Sequence, residues 1–179
     1  MTREYPWYDV VDPEEDILQG DFLRSCPIAV PPNNVCEGLA AQVDVIEYDV
    51  VVMSQSCDLA QHKVRWVLVC PFWSLTDFEV ENPDFRKAGK RAKLRERLRQ
   101  GNYPGFHLLN KPQLEGFQDD YLVVHFRDIY SVAFEYIIPF VRNMGPRLRL
   151  LPPYREHLSQ AFARFFMRVG LPVDIPPFR

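Results

Sequence analysis

The sequence predicts one α+β domain, a curled antiparallel sheet or partial barrel carrying a basic helix and a C-terminal amphipathic helix. Three observations lead there. Val50-Val51-Val52-Met53 and Trp66-Val67-Leu68-Val69-Cys70-Pro71-Phe72 are short apolar runs rich in β-branched and aromatic residues, the composition of buried strands. A charged run from Asp84 to Arg99 follows Pro83, a residue suited to the first turn of a helix. Leu158, Ala161, Phe162, Phe165, Phe166 and Val169 recur at spacings of three and one, which places them on one helical face.

In chain order, residues 1–15 form an acidic and aromatic lead-in with Pro6 and Pro13. Ile17 to Leu23 predicts a short strand with a corner at Gly20-Asp21, extended by Cys26 to Val30 and stopped at Pro31-Pro32. Residues 33–39 predict a loop. From Ala41, alternation sets Val43, Val45 and Ile46 against Gln42, Asp44 and Glu47 before the chain becomes continuously apolar at Val50. Ser54 to Asp58 predicts a polar turn, and Trp66 to Phe72 the next strand.

The basic helix is predicted from Asp84 to Arg99, with Gly101 ending it and Phe85, Ala88, Ala92, Leu94 and Leu98 as a narrow apolar stripe. Phe106 to Leu109 and Tyr121 to Phe126 predict two more strands. Pro139 argues against a long helix between Ile129 and Val141. Arg147 to Leu151 alternates as a strand, and Pro152-Pro153 opens the final helix, which Gly170 caps and Pro172 ends. The expected arrangement has helices on one side of the sheet.

The 179 residues suit a single domain spanning the whole chain, 1–179. No apolar run approaches the ~18 residues that cross a bilayer, and the first residues lack the apolar core of a secretory signal. Cys26, Cys36, Cys57 and Cys70 without such a signal lead us to expect reduced thiols, a cytoplasmic location and no membrane partner. Net charge is −3, yet residues 84–99 hold eight basic and two acidic residues, +6 locally, leaving −9 for the rest.

Four groups of residues offer chemistry. Cys57 in the Ser54-Gln55-Ser56-Cys57-Asp58 turn would be a nucleophile if a histidine (His62 nearby, or His107 or His125 on strands) lowered its pKa, with Asp58 beside it. The structural reading is a turn in which Ser54 and Asp58 bond their own backbone. Cys26, Cys36, Cys57, Cys70 and His62 are the available metal donors. Every cysteine spacing is ten or more, unlike the close pairs of zinc sites, so we expect no metal and no cofactor.

The basic helix, with Lys87, Lys90, Arg91, Lys93 and Arg95, would lie against phosphates or an acidic protein surface. Otherwise it is a solvated face. Arg149, Tyr154, Arg155 and His157 gather beside a helix start, a place suited to anions; with Ser54 and Gln55 they make a possible polar site. The alternative is a clamp between strand end and helix. No paired carboxylates, serine–histidine–aspartate signature or nucleotide motif is present.

Gln19-Gly20-Asp21-Phe22 together with Ser54-Gln55-Ser56-Cys57-Asp58-Leu59 is similar to the QGD…SQxCDL pattern of an uncharacterised bacterial family. Pro153-Tyr154-Arg155-Glu156-His157-Leu158-Ser159-Gln160-Ala161-Phe162 resembles its ending. That resemblance covers most of the chain and implies an accessory protein of bacterial defence or mobile-element operons, such as type III-E CRISPR–caspase operons. Gly20-Asp21 and Val51-Val52-Met53-Ser54 also resemble two strands of the SH3-like barrel of PemK-like toxins, which implies an endoribonuclease fold. The Arg-Pro step of those toxins and their arginine-plus-aspartate-or-threonine set are missing here.

The expectation is therefore a non-enzymatic adaptor that binds a partner protein in a bacterial defence or regulatory system. The alternatives are a PemK-like RNA-binding or endoribonuclease protein using helix 84–99 against nucleic acid, and a thiol enzyme centred on Cys57.

Overall fold

A computed structural model describes residues 5–31, 43–117 and 120–167. Cys36, the loop at 33–39 and the C-terminal features at Val169, Gly170 and Pro172 lie outside the described residues.

Eight strands and five α-helices are described: β1 Tyr8–Val11, β2 Phe22–Val30, β3 Asp44–Val52, α1 Ser56–Ala60, β4 Trp66–Ser74, α2 Leu75–Glu81, α3 Ala88–Arg99, β5 Phe106–Leu109, β6 Leu122–His125, β7 Tyr130–Ala133, α4 Phe134–Met144, β8 Arg147–Leu150 and α5 Tyr154–Phe166. A 3-10 turn at Pro83–Arg86 precedes α3. All pairings are antiparallel. The main sheet runs β2-β3-β4-β6-β5, with β7 also on β4, and β1 pairs with β8 separately. The sheet does not close into a barrel, so the PemK-like barrel expectation is replaced by an open sheet.

β4 organises the sheet. Val50–Val52 of β3 pair with Val69–Pro71, and Phe72–Ser74 and Trp66–Val69 pair in succession with β6 and β7. The apolar runs at Val50–Val52 and Val69–Phe72 follow from burial on both faces, since successive side chains point to opposite sides, whereas Trp66 and Leu68 are exposed. Val51, Cys70 and Phe72 enter one core with Phe22, Leu148, Leu150 and Leu158. Val50, Val52, Val67 and Val69 enter the other with Leu23, Leu59, Ile137 and Val141. Helices thus cover both faces, α5 on one and α1 and α4 on the other, correcting the one-sided arrangement. A third cluster joins α2, the 3-10 turn and α3 to Val123 of β6.

Other expectations change with this packing. Val43, Val45 and Ile46 are exposed rather than core-facing, because β3 runs beyond the edge of β4 and pairs there with β2 alone. The single helix from Asp84 is a capped 3-10 turn, with Asn82 Oδ1 accepting from Asp84 N at 3.1 Å, and then a helix from Ala88. α2 was hidden by its length of seven residues, although Ser74 caps it by accepting from Asp77 N at 3.0 Å. Pro139 sits inside α4: the apolar seal made by Ile137 and Val141 outweighs the backbone bond that proline removes. In α5 only Leu158 is fully buried; Ala161, Phe162 and Phe165 are half-buried, and Phe166 is 56% exposed.

The interior also holds charge. Asp21 is fully buried and Arg147 nearly so, at 1% exposure. Arg147 Nε donates to Asp21 Oδ2 at 2.7 Å and its outer nitrogens to the carbonyls of Asp12, Glu15 and Asp16. Arg149 donates to both Asp21 oxygens and to Asp16 O. Removing the carboxylate leaves Arg147 without a counter-charge and Arg149 with the half-exposed Glu15 alone. Asp21→Ala should therefore lower stability by roughly 3–5 kcal/mol in denaturant titration. A loss below about 1 kcal/mol would show the cluster to be incidental.

Candidate functional site

The Gln19–Phe22 corner, the Ser54–Leu59 turn and α5 meet in space. Gln19 is buried; its side-chain amide donates to Met53 O at 2.8 Å and to Ser159 Oγ at 3.3 Å. Gln55 Nε2 reaches the same Ser159 Oγ at 3.3 Å, and Ser56 Oγ accepts from Gln19 N at 3.2 Å. Ser54 is buried and accepts from Leu68 N at 2.8 Å. Gly20, at φ +87°, packs so closely that an added Cβ would stand 3.1 Å from Leu150 Cβ and 3.4 Å from Arg155 Cγ. These contacts fasten the start of β2 and the end of β3 to β8 and α5. Ser54 and Gln55 are therefore held by hydrogen bonds within the fold.

The predicted anion cluster at the start of α5 is dispersed. Arg149 is consumed by Asp21. Tyr154 stacks on Trp7, centroids 3.6 Å apart. Arg155 donates to Glu156 Oε1 at 2.7 Å. His157 is exposed and lines a different cleft, described below.

Cys57 is exposed on α1, its sulfur 3.8 Å from Asp58 Oδ1. No histidine among the described residues comes within hydrogen-bond reach of that sulfur. His62 packs edge-on against Phe134, His107 lies on β5 at the far edge of the sheet, and His125 stacks on Phe106. Burial pushes the Cys26 thiol up to about 11 and the Cys70 thiol to about 12. Among the described residues no group of three or more histidine, cysteine or carboxylate side chains is placed to hold a metal ion.

The basic helix divides into two flanks. Glu79 of α2 is buried, and Arg91 and Arg95 both clamp it. Their hydrogen bonds, that of Arg95 foremost, hold the Glu79 carboxyl below its ordinary range. Arg99 pairs with Glu96 one turn back. On the other flank, at spacings of three and four, Lys90, Lys93 and Arg97 border a hollow of about 320 Å³ with Asp84, Leu94 and Tyr103. Lys87 is exposed at the helix start. No carboxylate pairs with Lys90 or Lys93 among the described residues. Arg97 lies over Tyr103, 5.5 Å from its centroid, and Tyr103 stacks on Phe106, which stacks on His125.

Tyr103 also borders a larger cleft, of about 710 Å³, between the turn after α3 and the exposed side of α5. Gly101 and Gly105 bend that turn with φ of +68° and +87°, which glycine adopts without strain. Phe106 and Phe126 form apolar walls; His107, His157, Gln160, Arg99 and Arg164 supply the polar groups. Residue-by-residue reading missed this cleft because His107 on β5 lies far in sequence from Gln160 and Arg164 on α5. The one available signal was the polar side of the α5 repeat, which carries Gln160 and Arg164.

Compared with known protein families, curated proteins and solved structures, the chain matches none.

His107 gives this region a pH signature. Burial, and then the charge of His157, lower its pKa to about 4. The unfolded chain, near 6.5, binds a proton that the folded chain refuses across that interval, so stability falls as pH drops from 6.5 to 4. Melting curves of His107→Phe should fall less steeply than wild type over this range, by a few degrees. Parallel curves would remove His107 as the cause.

Proposed function

We propose that this chain is a non-enzymatic adaptor that docks on an acidic surface of a partner protein through the free flank of α3. The observation that carries the reading is the asymmetry of that helix. Arg91 and Arg95 are spent inside the molecule on Glu79, whereas Lys90 and Lys93 are exposed and have no acidic partner among the described residues. The two arginines singled out by the charge pattern thus anchor the helix, and the lysines with Arg97 face outward as the contact surface.

Exposed lysines left unpaired raise the rate and selectivity of encounter with an acidic surface more than they add affinity. Arg97 and Phe106 both lie against the Tyr103 ring, so the flank offers charge but little free aromatic face for stacking bases. That favours a protein surface over single-stranded nucleic acid. The setting, a bacterial defence or regulatory system, rests on the sequence resemblance alone. RNA is the second reading, supported by the way the cationic flank leads past Tyr103 into an aromatic-walled cleft.

A photo-crosslinking residue at position 93, used in living host cells with position 9 on β1 as control, separates these readings. We expect crosslinks to an acidic protein segment that disappear on Lys90→Glu. Crosslinks to RNA would replace the adaptor reading with the second. Equal yields at positions 93 and 9 would remove α3 as a contact surface.

A further inference from the structure

We propose that the cleft between the Gly101–Gly105 turn and α5 binds a nucleotide: a phosphate monoester carried on an aromatic base, with Arg164 meeting the phosphate and the His107 edge and Gln160 amide meeting the base. The site is separate from the α3 flank and does not depend on the adaptor reading.

Size comes first. About 710 Å³ lies within the range of cavities that hold small organic ligands, and is far larger than a lone inorganic ion needs. Charge comes second. None of the described residues lining the cleft is acidic, in a protein whose net charge is −3. Arg164 and His157 project from one helix face, at positions seven apart, and Arg164 has no ion pair among the described residues. Arg99, across the cleft, is already held by Glu96, so Arg164 is the guanidinium left to receive an anion. Guanidinium groups bind phosphate with paired, charge-assisted hydrogen bonds.

Third is what stands behind the charge. The His107 ring packs alongside Phe126, centroids 6.0 Å apart, and neither ring nitrogen has a protein partner among the described residues. A neutral imidazole has one donor and one acceptor, which matches the mixed edge of a nucleobase. Gln160 adds an amide that can also both donate and accept. A carboxylate ligand would satisfy Arg164 but leave the His107 edge and the Gln160 amide unused. A nucleotide uses all three.

The phosphate and base could arrive as a free nucleotide or as part of an RNA strand. Calorimetric titration of the full chain with nucleoside 5′-monophosphates, the matching nucleosides, inorganic phosphate and a short single-stranded RNA decides between them. We expect monophosphates to bind at least about tenfold more tightly than nucleoside or phosphate alone. Arg164→Gln, an exposed change that spares the core, should weaken binding by about tenfold or more, and Lys90→Glu should leave it unchanged. RNA binding more tightly than the monophosphates, still sensitive to Arg164→Gln, would assign the same site to a nucleotide within a strand. Absence of saturable binding by both monophosphate and RNA at ~1 mM, or equal affinity in Arg164→Gln, would overturn the proposal.

Discussion

The buried carboxylate of Asp21 is the point on which the rest of the fold depends. Two arginines two residues apart on β8 project to the same side of the strand and converge on it, and it also accepts from Leu18 N at 3.1 Å. One negative and two positive charges would leave a net buried cation. The structure offsets it with the carbonyl oxygens of Asp12, Glu15 and Asp16 and with the Glu15 carboxylate at 3.3 Å from Arg149. The acidic lead-in is thus bound by its backbone as much as by its charge. Such clusters are costly to desolvate, and their strength lies in permitting only one arrangement of the groups that satisfy them.

The same residues seat the neighbouring elements. Gly20 N donates to Val52 O, Val52 N to Asp21 O and Leu150 N to Gly20 O, each at 2.9 Å. A corner of two residues, Gly20 and Asp21, therefore couples β3 to β8. Gln19 adds the link to Ser159 on α5. The Gln-Gly-Asp corner and the Ser-Gln-Ser turn are thereby bonded to each other, Gln19 N donating to Ser56 Oγ and the Gln19 amide to Met53 O. Their roles in this fold are those of joints.

How much of this was legible depends on the range of the interactions. Val50 to Met53 and Val69 to Phe72 were readable as strands because double-sided burial writes itself into consecutive residues, and the alternation of exposed Trp66 and Leu68 with buried Val67 extends the second run. Gly101 and the Leu158-centred repeat marked a helix end and a helix face for equally local reasons, while Pro83 marked the 3-10 turn that precedes α3. β1 was not legible, since Tyr8–Val11 becomes a strand only by pairing with Leu150–Arg147 near the other end of the chain. Arg149 looked like an anion receptor because a sequence does not reveal that an arginine is buried. The Pro139 break was overruled by tertiary burial of Ile137 and Val141, and Arg91 and Arg95 looked free because their partner, Glu79, belongs to a helix that was not foreseen.

Correcting those arginines changes the meaning of the charge asymmetry. A run of +6 suggested one uniform cationic helix, but Glu79 and Glu96 divide it. The inner arginines hold α3 to α2 while Leu94 and Leu98 seal the helix on the sheet, and this is what fixes the direction of its outer lysines. A flexible basic tail would present the same charge without orientation. Here the exposed cations are mounted on a packed helix that runs directly into the turn bordering the cleft, so the potential of the flank and the mouth of the cleft keep a constant relation. A polyanion or a single phosphate approaching this side meets a fixed field, and fixed dipoles and charges need no reorganisation when the ligand arrives. In an otherwise acidic protein, repulsion elsewhere on the surface would reinforce that choice of side.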